Sequence, residues 1–386
     1  MARGIVILGS TGSIGQQALD VVRANRDELR IIGLAAGQNL ELLTRQVREF
    51  RPRYVSTPAL TIGEIWNGAE VVSLLDLCVA PSVDRVLIAT VGSIGLEPTL
   101  AALREGKSVA LANKEVLVMA GALVIAEAQR AGTTILPVDS EHNAVWQCLV
   151  GDCLLRTGET DGPVRRIVLT ASGGAFRDLS LDDLRNVTPT QALAHPNWVM
   201  GQKVTVDAAT LMNKAFEVIE AHWLFGLPYE EIDVVLHRES VVHALVEFVD
   251  GSLKAELSHP DMRIPVQHAL TYPDRRPSAW PRLRLEDIGR LSFAPLDRHR
   301  YPCFDLALSA AAAGGTFPAA LSAADDVAVE MFLGGQISFT EIPDLIDRVL
   351  QRHESIERPS IEDILAVDTG VRRELLSGLV RGTRRA

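Results

Sequence analysis

Two short stretches carry carboxylates at spacings that suit a metal ion. In LPVDSEHNAVWQ, residues 136–147, Asp139 and Glu141 lie two residues apart after a strand-like run. In extended chain they point to one side, and two hard oxygen ligands on one face suit Mg²⁺ or Mn²⁺. The same residues also suit a helix start, with Asp139 or Ser140 as N-cap of the helix that holds Trp146. The motif alone serves both readings. In LMNKAFEVIEAHW, residues 211–223, Asn213 and Glu217 are one helical turn apart on one face. Glu217 can complete a carboxylate trio with Asp139 and Glu141, and Asn213 and Lys214 are suited to a phosphate. An i to i+4 pair on a solvated helix face is the plain alternative.

Other stretches offer anion and cofactor chemistry. GSTGSIG, Gly9 to Gly15, follows the apolar run Ile5–Leu8 and opens a predicted helix. Glycines there permit a tight turn and let backbone approach a pyrophosphate, and the helix start offers unpaired N–H groups. Thr11 and Ser13 add hydroxyl donors. An NAD site carries Asp or Glu about 20 residues on, at the end of the second strand. Here that place reads Ala35-Ala36-Gly37-Gln38-Asn39, with no carboxylate to repel a 2′-phosphate, so the reading is NADP. ALANKEVLV sets Asn113, Lys114 and Glu115 at a strand's C-terminal end, the functional edge of an open α/β sheet. TASGG gives Ser172 a glycine turn from which to donate to an anion. HPNWVMGQK, His195 to Lys203, places Trp198 and Met200 between Pro196 and Gly201, as in a lid over about residues 190–203. The histidines His142, His195 and His243 are each, taken singly, more often structural than catalytic.

The elements that must position these residues follow from periodicity. From Gly4 to about Pro137, apolar runs (GIVILG, RIIGLAA, RVLIAT, SVALAN, TTILPV) alternate with helical stretches such as Gln16–Asn25, Leu40–Phe50 and Pro98–Glu105. That is an α/β pattern with a doubly wound, Rossmann-like parallel sheet. From about Gly151 the pattern is α+β. RRIVLTASGG is a strand entering a turn, and DAATLMNKAFEVIEAHWLF is a helix with Leu211, Ala215, Val218 and Ile219 on one face. DVVLHRESVVHALVEFVDGSLKAELS reads as strands with a hairpin at Asp250-Gly251. The segment 272–295 is Pro- and Arg-rich and reads as a connector, and from about Phe304 the chain is helical. The expected regions are 1–150 (dinucleotide-binding), 151–280 (catalytic), 281–303 (connector) and 304–386 (helical).

Composition narrows the function classes. A chain of 386 residues exceeds one ordinary core. A formal net charge of −11 argues against nucleic acid, whose binding needs clustered Lys and Arg. There is no apolar run long enough to span a bilayer and no signal-peptide pattern, so a cytoplasmic protein is expected. Cys78, Cys148, Cys153 and Cys303 form no CxxC pair and read as buried free thiols.

Taken together, GSTGSIG, ALANKE, PVDSEHNA, LTASGG, HPNWVMGQKVTVDAATLMNKAFEVIEA and HPDMRIP resemble the 1-deoxy-D-xylulose 5-phosphate reductoisomerase family, a similarity that runs to FPAALSAADDVAVEMFL near the C-terminus. The resemblance implies rearrangement of the sugar phosphate to an aldehyde and its reduction by NADPH to 2-C-methyl-D-erythritol 4-phosphate, in the non-mevalonate isoprenoid pathway. It implies Asp139, Glu141 and Glu217 as ligands of Mg²⁺ or Mn²⁺, with Co²⁺ a further option. Lys114, Glu141, His142, His195, Trp198 and His243 are the implied catalytic set. Ser140, Glu141, Ser172, His195, Asn213, Lys214 and Glu217 are implied at the substrate. Thr11, Gly12, Ser13, Ile14, Gly37, Gln38, Asn39, Asn113, Lys114, Glu115, Gly201 and Met262 are implied at the cofactor. A homodimer is implied too. The sequence departs from the family at Ala208, where a phosphate-holding Ser is usual, at LHRESVVH, where a His-Pro-Gln-Ser run is usual, at Gln38, where many members are basic, and at Asp325-Asp326, where the family pattern has Asn-Glu.

Overall fold

The computed structural model describes residues 2–151 and 162–382. In chain order the strands are β1 (Arg3–Leu8), β2 (Leu29–Ala35), β3 (Tyr54–Ser56), β4 (Ile65–Trp66), β5 (Ala69–Val71), β6 (Arg85–Ile88), β7 (Ser108–Leu111), β8 (Ile135–Pro137), β9 (Val164–Ala171), β10 (Ile232–Leu236), β11 (Val242–Phe248), β12 (Leu253–Leu257) and β13 (Ala294–Pro295). The helices are α1 (Ser13–Ala24), α2 (Leu40–Phe50), α3 (Leu74–Val79), α4 (Leu96–Arg104), α5 (Glu115–Ala131), α6 (Ser140–Leu149), α7 (Pro189–Ala192), α8 (Gln202–Thr210), α9 (Met212–Phe225), α10 (Arg263–Thr271), α11 (Leu285–Ile288), α12 (Pro302–Ala313), α13 (Phe317–Leu333), α14 (Glu341–Arg352) and α15 (Ile361–Gly382). Two compact units result. Met1–Val116, Ala122–Val150 and Glu256–Arg284 form the first, and Leu117–Gly121, Gly151–Ala255 and Leu285–Ala386 form the second.

The first unit has the expected α/β architecture. Among the described residues its sheet runs β4-β5-β3-β2-β1-β6-β7-β8, parallel throughout except at β4–β5. Ile5, Val6, Ile7 and Leu8 of β1 are all fully buried. A strand covered on both faces must be apolar at every position, which is why this run does not alternate. The same core takes in Val266, Ala269 and Leu270 of α10. Arg85 donates to the Ala269 carbonyl at 2.5 Å and Arg3 to the Leu270 carbonyl at 2.7 Å, so two arginines satisfy the open C-terminal end of α10. Residues 256–284 thus pack with the first sheet, whereas the sequence reading ran the catalytic segment through residue 280. The apolar face of a helix does not say which sheet it covers.

In the second unit the sheet order is β12-β11-β9-β10-β13. Gly251, at φ +86°, makes the expected hairpin turn after Asp250, whose Oδ1 accepts from Ser252 N at 2.9 Å. The stretch expected as a connector supplies β13, which pairs antiparallel with β10. Pro295 can sit there because an edge strand leaves one side unpaired. Helices α12–α15 cluster in this same unit rather than by themselves. The single helix read over DAATLMNKAFEVIEAHWLF is in fact two. Leu211 takes a left-handed φ of +57°, and Met212 N turns to Thr210 Oγ1 at 3.3 Å.

Cys78, Cys148 and Cys303 are buried free thiols. Cys153 lies outside the described residues. Among the described residues no helix is long and apolar enough to cross a membrane.

Candidate active site

Because β1, β2, β6, β7 and β8 are parallel, the segments that follow them leave the first sheet at one edge. That edge collects Thr11–Ile14 after β1, Gly37–Asn39 after β2, Asn113–Glu115 after β7 and Asp139–His142 after β8. Gly9, at φ +84°, could not carry a side chain, since a Cβ would lie 2.3 Å from the Ala89 carbonyl oxygen. Gly15 packs α1 against the turn, where a Cβ would meet the Gly9 oxygen at 2.2 Å. Gly12, the N-cap of α1, is exposed, and no side chain caps this helix start. The first turn of α1 also lacks acidic residues. Its N–H groups and positive dipole end therefore face outward, ready for an anion. Ser10 holds the turn from below: its hydroxyl donates to Gln46 Oε1, and Gln46 Nε2 donates to the Ser10 carbonyl, both at 2.8 Å.

Gly37, Gln38 and Asn39 are exposed. Asn39 caps α2, accepting from Leu42 N at 3.1 Å, and the Gly37 carbonyl accepts from Thr57 Oγ1 at 2.8 Å. Asn113 is buried and ties two strand ends together. Its amide donates to the Gly92 carbonyl at 3.0 Å and Thr90 Oγ1 at 3.2 Å, while its oxygen accepts from Val116 N. Met262, at the N-cap of α10, packs against the core of the first unit.

Of the two readings the motif allows for Asp139 and Glu141, the structure takes the helix start rather than extended chain. β8 ends at Pro137, Asp139 is the N-cap of α6, and Glu141 sits in its first turn. Asp139 accepts from Ser140 N at 3.1 Å and pairs with the Lys114 ammonium at 2.5 Å. Ser140 donates its hydroxyl to Glu141 Oε2 at 2.6 Å. Helix N-termini favour carboxylates, so one turn holds two oxygen donors side by side. His142 is fully buried on the same helix.

In the second unit a hydrogen-bonded turn follows β9. At the end of β9, Ser172 Oγ accepts from Gly174 N at 3.2 Å and lies 2.9 Å from His195 Nε2. His195 Nδ1 accepts from the backbone N–H of Trp198 at 2.9 Å and of Asn197 at 3.2 Å. With two N–H groups aimed at Nδ1, the ring proton must sit on Nε2, which donates to Ser172. Burial, aided by the Arg177 charge, pushes the His195 pKa down to about 4, so the ring is neutral at physiological pH. Ser172 Oγ already accepts twice, and its own proton is left to donate outward.

Trp198 is half-buried, with its ring 6.0 Å from that of His243 in an edge-on approach. His243 is buried on β11, and its Nε2 has no hydrogen-bond partner. Asn197 tethers the segment expected as a lid, donating to Ser240 Oγ and the Arg238 carbonyl, both at 2.7 Å. Gly201 is the exposed N-cap of α8. We expect Trp198→Ala to cut turnover by about tenfold or more with little change in melting temperature, because a half-buried lid aromatic excludes water and orients substrate without supporting the core. Steady-state kinetics beside a melting curve decide it; a collapsed melting temperature with normal turnover of the folded fraction makes Trp198 a packing residue.

On α9, Glu217 is buried. It accepts from the Asn213 amide at 2.5 Å and pairs with the Lys214 ammonium. The i to i+4 pair of the sequence reading is therefore real, but on a buried face rather than a solvated one. Ala208 adds no donor here, and Thr205 Oγ1 already donates to the Gly201 carbonyl at 2.8 Å.

Sequence reasoning missed Arg177, which donates to the Ser172 carbonyl at 2.9 Å, and Tyr301, whose hydroxyl donates to the Gly173 carbonyl at 3.1 Å. Tyr301 is 128 residues away in the chain, and no local signal announces it.

Comparison with known proteins covers nearly the whole chain. Residues 5–121 match the profile of 1-deoxy-D-xylulose 5-phosphate reductoisomerase, residues 135–225 that of its C-terminal domain, and residues 257–374 that of the DXP reductoisomerase C-terminal domain. A relative from Halalkalibacterium halodurans, named 1-deoxy-D-xylulose 5-phosphate reductoisomerase, is 48% identical over 96% of this chain and 98% of its own. One of the same name from Geobacillus kaustophilus is 49% identical over 97% and 99%. Among solved structures, a DOX-P reductoisomerase in complex with NADPH, fosmidomycin and magnesium shares 38% identity at a TM-score of 0.91 over the full length of both chains. The Zymomonas mobilis enzyme in complex with NADPH shares 36% at 0.86, over 96% of this chain and 97% of its own.

Proposed function

From its membership of the 1-deoxy-D-xylulose 5-phosphate reductoisomerase family, to which the chain belongs, we propose how its residues divide the work of that family's reaction. The reaction is the NADPH- and divalent-metal-dependent isomerisation and reduction of 1-deoxy-D-xylulose 5-phosphate to 2-C-methyl-D-erythritol 4-phosphate. The observation that carries this reading is the 48% identity across 96% of the chain.

The residues present fit both groups the reaction needs. The exposed Gly12 turn and uncapped α1 suit the pyrophosphate of NADPH. We assign Thr11, Gly12, Ser13, Ile14, Gly37, Gln38, Asn39, Asn113, Lys114, Glu115, Gly201 and Met262 to the cofactor. The carboxylates Asp139, Glu141 and Glu217 are hard oxygen donors suited to Mg²⁺ or Mn²⁺, which, when bound, acts as a Lewis acid on the substrate's carbonyl and hydroxyl oxygens. Ser172, Asn213 and Lys214 hold the phosphate, with the outward Ser172 proton as one donor. Binding energy from that remote group positions the reacting carbons. His195, neutral and donating from Nε2, fixes Ser172 and so the phosphate end. Ser140 and Lys114 are assigned to the substrate, His142 and His243 to the catalytic set, and Trp198 to the lid.

We further propose a cytoplasmic homodimer. The buried free thiols fit a reducing compartment. A groove of about 700 Å³ on the five-stranded sheet, lined by Val235, Leu253, Phe293 and Leu308 among others, supports a second copy as its cover. Light scattering on the purified chain reads the mass directly.

NADPH oxidation with 1-deoxy-D-xylulose 5-phosphate, with and without Mg²⁺ or Mn²⁺, tests the function. Metal-independent or absent turnover rejects it. NADPH should be preferred over NADH, because no carboxylate stands at residues 33–39 to repel the 2′-phosphate. Gln38 supplies a neutral donor rather than a cation, so the margin in kcat/KM is about tenfold, the worth of one hydrogen bond to a charged group. Equal values for the two cofactors reject the assignment.

A further inference from the structure

We propose that Lys203 is a positioning residue for α9, through a buried ion network that ties α8 to the C-terminal helices. Lys203 stands in the first turn of α8, just past the lid segment. Its ammonium lies 2.6 Å from Asp207 on the same helix, 2.8 Å from Asp325 and 3.3 Å from Asp326, both on α13. Asp325 is fully buried and Asp207 nearly so. Asp326 in turn meets Arg372 of α15 at 2.5 Å, and Arg372 also holds Asp368 at 2.9 Å. One cation on α8 is thus locked among carboxylates, two of them on α13, which is itself pinned by α15. The Asp325-Asp326 pair is the departure noted in the sequence, and this network is where it lies.

The second contact of Lys203 points toward the site. Its ammonium lies 5.0 Å from the ring centroid of Phe216, a fully buried residue of α9. Phe216 directly precedes Glu217, and Asn213 and Lys214 lie on the same helix. A cation over an aromatic face is attracted to it, more so when desolvated. Between the two helices stands Leu211 in the left-handed region, a single residue about which α9 could swing. Lys203 spans that junction: it is bonded within α8, stacked on α9 and clamped by α13.

Electrostatics makes the lysine hard to replace. Burial and the neighbouring Asp325 hold the Asp207 carboxyl well above its ordinary range, and Lys203 is the group that opposes them. Removing the cation leaves the Asp207 and Asp325 carboxyls facing one another while Asp326 stays with Arg372, and the pair relieves its repulsion by taking a proton or moving apart. Motion of Asp207 carries α8, and loss of the Phe216 contact frees α9. The groups placed to hold the sugar phosphate are then no longer held in register.

This inference rests on the family reading for the identity of the substrate. Lys203→Met keeps the stem's length and removes the charge. In the folded variant we expect KM for 1-deoxy-D-xylulose 5-phosphate to rise by about tenfold, with kcat reduced less and NADPH affinity unchanged, as misplacement of binding groups predicts. A folded variant with wild-type KM and kcat but a lower melting temperature overturns the proposal and leaves Lys203 a stability residue. If Lys203→Met does not fold, Asp326→Asn decides: it keeps Lys203 with Asp207 and Asp325 but removes the charge that pairs with Arg372 and with Lys203. A rise in KM of about threefold supports the proposal, and an unchanged KM overturns it. A wild-type chain that turns over no sugar phosphate fails the family reading itself, a result distinct from either variant outcome.

Discussion

Glu217→Gln is expected to lower kcat/KM by about a hundredfold or more, since loss of a metal-binding carboxylate exceeds the cost of losing a group that only supports one. Glu217 is 1% exposed and uses both oxygens: Oε1 accepts from the Asn213 amide and Oε2 meets the Lys214 ammonium. Gln keeps the shape but can accept on one side only. Whichever way it turns, its NH₂ opposes a donor. The substitution therefore removes one negative charge from the proposed metal set and disturbs the two groups proposed for the phosphate, a local cost of about 1–3 kcal/mol for the donor left opposed. NADPH affinity, which we assign to the Gly9–Gly15 turn, should be unaffected. Separate titrations of Mn²⁺ and NADPH into the variant resolve these terms. Unchanged Mn²⁺ affinity with normal turnover would falsify the assignment and make Glu217 a structural partner of Lys214.

How far this was legible in the sequence depends on the distance over which each feature is decided. The Gly9–Gly15 turn is fixed by neighbours: an apolar run buried on both faces, a turn with no room for a Cβ at Gly9 or Gly15, and a helix that starts without a cap. All three are local, so the pattern could be read directly. The carboxylates of 139–141 left two geometries open, an extended pair on one side or a helix start, and the motif could not choose between them. Alternation in a strand and the first turn of a helix both bring nearby side chains together, and Asp139 takes the N-cap place that the alternative reading allowed. The break at Leu211 left no trace. Helical periodicity continues on both sides of it, and no Gly or Pro marks a residue that only buried packing and the Thr210 hydroxyl hold at positive φ. Long-range features were the least legible. Tyr301 supports Gly173, and Arg3 and Arg85 cap α10. Each depends on which surfaces meet, and composition cannot rank those pairings. The allegiance of residues 256–284 belongs to this class, as does the clamp on Lys203.

The turn that carries Ser172 gives the other large expected effect. Gly174 has φ +72°, a region that costs a side-chain-bearing residue about 1–2 kcal/mol. A Cβ there would lie 2.4 Å from the Ala208 carbonyl oxygen and 2.6 Å from Ala209 Cα. Both obstacles are backbone of α8, so no rotamer change relieves them. Either the turn must lift away from the helix or the helix must yield. The turn is the weaker partner, being anchored by the Gly174 N to Ser172 Oγ bond at 3.2 Å, the Tyr301 hydroxyl on Gly173 and Arg177 on the Ser172 carbonyl. Lifting it breaks the first of these and turns the Ser172 hydroxyl away from its outward aim. Gly174→Ala should therefore raise KM for 1-deoxy-D-xylulose 5-phosphate by about tenfold or more and lower stability by about 2 kcal/mol, while NADPH affinity holds. Ser172→Ala removes the hydroxyl and its bond to Gly174 N but keeps the Tyr301 and Arg177 anchors, and should raise KM by less, about fivefold, the net worth of one ordinary hydrogen bond. The order of the two variants is the test. If Gly174→Ala binds the sugar phosphate as well as the wild type does, the close approach of this turn to α8 has no part in holding the phosphate.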